Sequence, residues 1–314
     1  MAQPTPAPFS TYDAVGNRED LTDFIYDITP TNTPFLSGIG RATADLTLHE
    51  WQQDSLDAAA ANAVIEGDEA TTDVATASVR RGNRCQISDK VPRVTGTQES
   101  VVKAGRKSEM AYQVMKRSRE LKRDMEFALL QNGAAVAGND STARQLAGVR
   151  AWIATNTSVG SGGADPTGDG TDTRTNGTQR AFTESLLQEV LRKCWDEGGD
   201  PDCLFVGSYN KQQASTFTGN ATRFKGAEDS KLTAAIDIYD SDFGEIEIVP
   251  SRFQLARDAF VIEKRLWAVA YLRSFRLADL AKTGDTDRKQ LLVEYTLEAR
   301  NEAGSGVIAD LTTS

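Results

Sequence analysis

The single histidine, His49, limits the chemistry that this chain can perform. Any site that needs two imidazoles is excluded, and His49-Glu50 lacks the second histidine, four residues on, of a zinc-protease helix. The sequence has no Walker-type phosphate loop, no G-x-G-x-x-G turn after a strand and no G-x-S-x-G nucleophile elbow. We therefore assign no catalytic residue and no cofactor, and we interpret His49 as structural.

The stretch "DPTGDG", Asp165–Gly170, resembles part of an EF-hand loop, with aspartates at positions one and five and glycine at six. Position three is Thr167 and position twelve is Asn176, whereas a calcium loop has an acidic ligand and a glutamate at these positions. We interpret residues 155–180, which are rich in Gly, Ser, Thr and Asp, as a flexible surface loop. A weak Ca²⁺ site is the alternative, and we assign no metal ligand.

Two charged clusters, one acidic and one basic, precede this loop in the sequence. Solvent would keep the carboxylates of the acidic cluster ionised. They are therefore poor general acids, because a general acid needs a pKa that burial has raised. The basic cluster is close to these carboxylates in sequence, which favours ion pairs between chains over phosphate binding. The acidic members are Glu66, Asp68 and Glu69, and the basic members are Arg80, Arg81 and Arg84.

The net charge of −10 argues against a general nucleic-acid binder, because such proteins neutralise phosphates with Lys and Arg. The three cysteines have no metal-type spacing and indicate a reducing compartment. The first residues lack the features of a signal peptide, and no apolar run reaches the ~18 residues of a membrane helix. We expect a soluble protein, made inside the cell, that does not insert into membranes.

The stretch "DITPTNTPFLSGIG", residues 27–40, combines two prolines with apolar side chains and is here called the prolyl segment. Pro30 and Pro34 remove backbone donors and favour extended geometry. We expect Phe35, Leu36 and Ile39 to dock on a neighbouring copy, because prolines reduce the entropy lost on docking. A polar tail (residues 1–20) and a short apolar-polar segment (residues 21–27) precede it.

The next region predicts a long two-stranded hairpin. "TADLTLHEWQQDSL", which contains Trp51, is the first strand, and "RRGNRCQISDKV" is the second. Residues 57–79 between them carry few large apolar side chains. A hairpin of this length is marginal in water and needs another surface to pack on.

The capping-box spacing of Thr95 and Gln98 predicts a helix from Thr95 to Asn132, about 50 Å long. Apolar residues repeat along one face, and the opposite face carries Lys116–Glu120 and Lys122–Glu126 pairs. "TESLLQEVLRKCW" predicts a second helix, "SYNKQQASTF" a short one, and "CLFVG", "EIEIV", "AFVIE" and "LWAVAYL" predict strands. A long strand from Leu291 to Arg300 alternates so that one face is buried, and a final strand follows. The predicted fold class is α+β.

This order of elements resembles the major capsid proteins of tailed bacteriophages with the Hong Kong 97 type fold. The resemblance rests on "ITPTNTPFLSGIG" (Ile28–Gly40) and "LAKTGDTDRKQLLVEYTLEARNEAGSGVI" (Leu280–Ile308). It implies an N-terminal arm (1–42), an extended loop (43–93), a peripheral domain with a long spine helix (94–150 and 285–314) and an axial domain (151–284).

The resemblance also implies a function. Such chains form pentamers and hexamers that tile an icosahedral shell around double-stranded DNA, without sequence-specific binding and without a membrane. The implied location is the virion, after assembly in the host cytoplasm. The implied partners are a portal and, as separate proteins, scaffolding and decoration proteins. Twelve residues are predicted inter-subunit contacts: Pro30, Pro34, Phe35, Leu36, Ile39, Trp51, Glu66, Asp68, Glu69, Arg80, Arg81 and Arg84.

One family feature is missing from this chain. Some members join subunits through an isopeptide bond between a loop lysine and an asparagine, but the first lysine here is Lys90. We therefore predict no covalent cross-link through the loop. Two alternatives stay open at this point: an encapsulin-like nanocompartment shell, and an acidic soluble enzyme or Ca²⁺-binding protein.

Overall fold

The computed structural model describes residues 29–69, 76–103, 105–217 and 237–314, so the predicted polar tail and the segment at 21–27 lie outside the described residues. The described residues form these α-helices: α1 (Pro34–Gly38), α2 (Gly96–Ser100), α3 (Glu109–Gln131), α4 (Glu184–Asp196) and α5 (Ser208–Ala214). Their strands are β1 (Gly40–Thr43), β2 (Leu48–Gln53), β3 (Val79–Arg84), β4 (Gln86–Lys90), β5 (Arg93–Thr95), β6 (Asn156–Ser158), β7 (Cys203–Val206), β8 (Ile238–Ser241), β9 (Gly244–Pro250), β10 (Ala259–Ile262), β11 (Trp267–Asp279), β12 (Thr286–Ala299) and β13 (Gly306–Ile308). This mixture of helices and mostly antiparallel strands confirms the α+β class.

The first sheet is built around the long antiparallel pair β11–β12. Its strand order is β1-β11-β12-β4, with β5 paired to the other end of β12. The sequence predicts one buried face for β12, but Val293 and Tyr295 are buried and so are Glu294 and Thr296. The prediction of a single buried face is wrong because helix α3 and the β2–β3 pair both contact β12.

The predicted helix at 95–132 is in fact two helices. The Thr95 side chain caps only the short helix α2, and the Ser108 side chain caps the long helix α3. Helix α2 ends where Val101 adopts an extended conformation (φ −71, ψ 141), and Gly105, with φ 73, lies between the two helices. With 23 residues, α3 is about 35 Å long rather than about 50 Å.

The second sheet has the order β6-β13-β10-β7-β9-β8, and α4 packs against its β6 and β13 strands. The predicted helix at 183–195 and the predicted strand "CLFVG" correspond to α4 and β7. Phe205 and Phe260 of this sheet belong to the same buried apolar cluster as Leu121 of α3 and Val293 of β12. The two sheets therefore share a core.

The predicted domain boundaries do not follow the sheets. Strand β11 was placed in the axial domain (151–284), yet it pairs along its length with β12. Strand β13 was placed in the peripheral part (285–314), yet it lies between β6 and β10 in the second sheet. Strand pairing thus divides the chain at other positions than the boundaries at 151 and 285.

Candidate inter-subunit surfaces

Pro34–Gly38 of the prolyl segment form helix α1, which packs in the chain's own core. Phe35 is 0 % exposed, and its ring centroid lies 5.5 Å from that of Phe205 and 6.5 Å from that of Trp267. Pro34 occupies the first helical turn, where a missing N–H costs nothing. The prediction of extended geometry is wrong for Pro34–Gly38, which are helical. The prediction of Phe35 as an anchor on a neighbour is wrong because this side chain fills space inside its own subunit.

The other residues of this segment divide into two groups. Ile39 is buried in the same cluster as Phe35, so its predicted contact with a neighbour is also wrong. Leu36 packs partly buried against that cluster, and Pro30 and Pro34 are partly exposed. For these three residues a contact between subunits stays a prediction.

Glu126 of α3 fixes the start of α1 and was missed by sequence reasoning. Its carboxylate accepts the backbone N–H of Phe35 at 2.9 Å and that of Leu36 at 2.7 Å. The predicted Lys122–Glu126 pair is wrong, because Glu126 is 0 % exposed and faces α1. Burial raises the pKa of Glu126 to about 7, although the two N–H donors oppose the shift. No sequence signal separates Glu126 from the solvent-facing carboxylates of the same helix.

This pKa predicts a pH-dependent stability. The folded-state pKa of Glu126 is about 7 and the ordinary value is 4.5, so between these pH values the folded state holds a proton on Glu126 that the unfolded state has lost. The stabilisation that this proton binding gives is full below pH 4.5 and is lost as the pH rises through 7. A pKa shift of this size corresponds to about 3 kcal/mol in the free energy of unfolding.

Denaturant unfolding of the subunit between pH 4.5 and 8 measures this contribution. The difference in stability between the parent and Glu126→Gln, which cannot titrate, should change over the window from pH 4.5 to 7 and stay constant above it. A constant difference across the whole range would contradict the assignment.

The base of the extended loop also packs on its own chain. Strands β2 and β3 pair in register, and the ring centroid of Trp51 lies 5.3 Å from that of Trp152. His49 Nε2 lies 3.2 Å from Glu298 Oε2, and this hydrogen bond is the largest cause of the lowered pKa of Glu298. The interpretation of His49 as structural agrees with this geometry, and Trp51 has an intramolecular partner.

The arginine cluster and Asn83 complete the loop base. Arg80 Nε lies 3.2 Å from Glu50 Oε1, and Arg81 Nε donates to Gln53 Oε1 at 3.4 Å. The Asn83 side chain, 0 % exposed, donates to the carbonyl oxygens of Ala147 and Leu297. Arg80 therefore has an acidic partner within its own chain, while inter-subunit contacts of Arg81 and Arg84 stay predictions.

Among the described residues of the extended loop, residues 54–69, here called the loop tip, form the longest run that is exposed throughout; residues 76–80 are exposed as well. Its apolar side chains Leu56, Val64 and Ile65 are 98 %, 81 % and 79 % exposed. The carboxylates of Glu66, Asp68 and Glu69 are exposed as well, and within the described residues they have no ion-pair partner. Exposed apolar groups on a projecting segment are typical of an interaction surface.

Residues 155–180 lie largely at the surface, as the sequence predicts, but hydrogen bonds fix them to the rest of the chain. The Asp310 carboxylate accepts the N–H groups of Gly160 and Gly177 at 3.0 and 2.8 Å and pairs with Arg257 at 2.6 Å. A Cβ at Gly160 would overlap the carbonyl oxygen of Thr178, so this close approach requires glycine. Sequence reasoning missed Asp310 because it is 130 residues or more away from the segment that it holds.

The carboxylates of the EF-hand-like stretch are used within the chain. Arg174 pairs with Asp165, and Asp169 Oδ1 accepts the hydroxyl groups of Thr167 and Thr171. In the described parts of the chain, no three or more His, Cys, Asp or Glu side chains are grouped so that they could hold a metal ion. Cys85, Cys194 and Cys203 are free and buried, and desolvation raises their pKa to about 11, 12 and 12. Their thiols are therefore protonated and unreactive.

No helix within the described residues is long and apolar enough to cross a bilayer. Within the described residues, the base of the extended loop packs on its own chain, whereas the loop tip does not. The large apolar side chains of residues 54–69 therefore stay exposed on the single subunit.

Comparisons with known proteins agree with this architecture. The family described as SU10 major capsid protein matches residues 8–312. The major capsid protein of Escherichia phage Phieco32 is 26 % identical over 348 residues, a match that covers 98 % of this chain and 97 % of that protein.

Solved structures show the same fold. The capsid asymmetric unit of cyanophage A-1(L) matches with a TM-score of 0.65 and 14 % identity, covering 98 % of this chain and 99 % of that chain. The capsid of a native GTA particle matches with a TM-score of 0.64 and 9 % identity, covering 96 % and 98 %. The Hong Kong 97 type fold that the sequence motifs imply is confirmed. The chain belongs to the family of SU10 major capsid proteins.

Proposed function

We propose that copies of this chain form the pentamers and hexamers of an icosahedral phage head that encloses double-stranded DNA. The observation that carries this proposal is the family match over residues 8–312, and the exposed loop tip supports it. Exposure of three large apolar side chains to water, at 79–98 %, is unfavourable on a monomer. In a shell, neighbouring subunits would cover them. Weak contacts of this kind accumulate over many subunits.

The role is structural, and the chain acts without catalysis of its own. The net charge of −10 supports DNA packaging without sequence-specific contacts. Assembly takes place in the host cytoplasm, with a portal and with separate scaffolding and decoration proteins as partners. The similar proteins named above favour neither the nanocompartment shell nor the acidic soluble enzyme or Ca²⁺-binding protein.

Electron microscopy of the purified chain tests the proposal. Negatively stained samples at several salt concentrations should show shells, capsomers or tubes. A uniform monomer under every salt condition would contradict it.

We also predict that mature particles carry no covalent link through the loop tip. The first lysine of the chain, Lys90, lies in β4 with its Nζ 2.6 Å from Asp124 Oδ2, so the loop tip offers no amine. Denaturing gels of mature particles should show one subunit-sized band, and particles of a Lys90→Arg variant should look the same. A ladder of multimers that persists after reduction would refute this prediction.

A further inference from the structure

Helix α3 carries a basic face that lacks acidic partners among the described residues. We define this basic face as Lys116, Arg119, Lys122 and Arg123. The first three are exposed and have no ion-pair partner among the described residues, while the Arg123 guanidinium lies 5.5 Å from the ring centroid of Phe253. Like charges three and four residues apart on a helix destabilise it by a few tenths of a kcal/mol per pair. An acidic partner would remove this repulsion.

A largely apolar groove lies beside the basic face. It is also lined by charged residues of both signs: Glu99, Asp279, Lys282, Asp287, Arg288 and Lys289. The groove has a volume of about 900 Å³ and lies between α3, the C-terminal end of β11 and the N-terminal end of β12. Met115 and Leu277 in its wall are 48 % and 45 % exposed. Its apolar lining is formed by Met110, Ala111, Val114, Met115, Leu277, Leu280 and Leu291.

The described chain begins next to both surfaces. Thr29 and Thr31 line a second cavity of about 270 Å³ together with Tyr112, Lys116 and Arg119. Met115 lines this cavity as well as the groove, so the two are adjacent. Residues that precede Thr29 therefore start within reach of the groove and of the basic face.

The sequence before Thr29 is complementary to both surfaces. Residues 19–28, "EDLTDFIYDI", contain four carboxylates, no basic residue and several apolar side chains. Eight residues span up to about 26 Å, whereas Arg119 and Met110 are about 14 Å apart along α3. The segment is thus long enough to run along α3 to the far end of the groove.

We propose that residues 19–28 bind to α3 of the same chain. Phe24 and Ile25 enter the groove, and Asp23 and Asp27 lie against the basic face. This contact would fix the direction of the arm within its own subunit, so that the arm is positioned before subunits meet. The inference does not depend on the proposed shell function.

A disulfide test distinguishes binding within the chain from binding between chains. The native cysteines are buried and protonated, so a Phe24→Cys/Val114→Cys variant has one reactive pair. Under mild oxidation, we expect a monomer-sized product of altered mobility that disappears on reduction. The matched control is Phe24→Cys/Phe127→Cys, because Phe127 is 49 % exposed on the same helix, about 18 Å beyond Met115. The control should react at least about tenfold more slowly.

Two other outcomes would overturn the proposal. Dimers as the main product would assign the groove to the arm of another copy, and equal rates for the pair and its control would show no binding. Thermal unfolding at the parental temperature would establish that each cysteine variant is folded.

Charge reversal tests the electrostatic part with the same readout. Lys116→Glu/Arg119→Glu should slow the cross-link severalfold at low salt, and adding Asp23→Lys/Asp27→Lys should restore the rate. The effect should vanish at about 1 M salt, where charges are screened within about 3 Å. An unchanged rate in the first variant, or no recovery in the second, would contradict the proposed charge pairing.

Discussion

Replacing Phe35 with alanine should lower the free energy of unfolding of the isolated subunit by about 3–5 kcal/mol, the cost of removing a buried aromatic ring. The ring is 0 % exposed between Phe205 and Trp267, so the variant leaves a cavity in the core shared by both sheets. Denaturant unfolding of dissociated subunits measures the loss.

The matched control for Phe35 is its neighbour. Leu36→Ala removes a partly exposed side chain from the same helix and should cost less than half as much. If Phe35→Ala unfolds like the parent and only assembly suffers, α1 does not belong to its own core. That result would restore the interpretation of Phe35 as an anchor on a neighbour.

The second large effect is expected at the loop tip. The variant Leu56→Ser/Val64→Ser/Ile65→Ser should leave subunit stability within about 0.5 kcal/mol of the parent, because these side chains are 79–98 % exposed. Assembly should fail, because burial of such a side chain contributes about 1.5–3 kcal/mol and each subunit would lose three. Particle yield by microscopy and sedimentation measures the outcome.

The control for the loop tip changes small exposed residues of the same segment. Ala58→Ser/Ala60→Ser/Asn62→Ser alters a similar number of positions without removing large apolar groups. This variant should assemble normally. Normal shells from the Leu56, Val64 and Ile65 variant would mean that neighbours do not cover these side chains.

Local patterns predicted those features that depend on nearby residues. The period of apolar residues located α3 and α4, and short apolar runs located β7 and β10. The capping box at Thr95 correctly predicts a helix start, yet it begins only α2, because the backbone becomes extended at Val101 and α3 begins with its own cap at Ser108. The apolar pattern of the sequence does not show this interruption.

Long-range contacts explain the errors. The sequence favours a neighbouring copy as the partner of Phe35 because its aromatic partners, Phe205 and Trp267, are 170 residues or more away in sequence. The 155–180 region seemed free because Asp310, which holds it, belongs to the last residues of the chain. Glu126 seemed to be a surface carboxylate because α1 covers it only in the folded chain.

The central claim is that the apolar side chains of the loop tip stay exposed until another copy of the chain covers them. Other parts of the first third of the chain do find partners within the subunit, since β1 pairs with β11 and β2 pairs with β3. Amide hydrogen exchange over residues 54–69, compared between dissociated subunits and assembled particles, tests the claim most directly. We predict fast exchange in the subunit and strong protection in the particle, with β2 and β3 protected in both. Equal protection of residues 54–69 in both states would contradict the account.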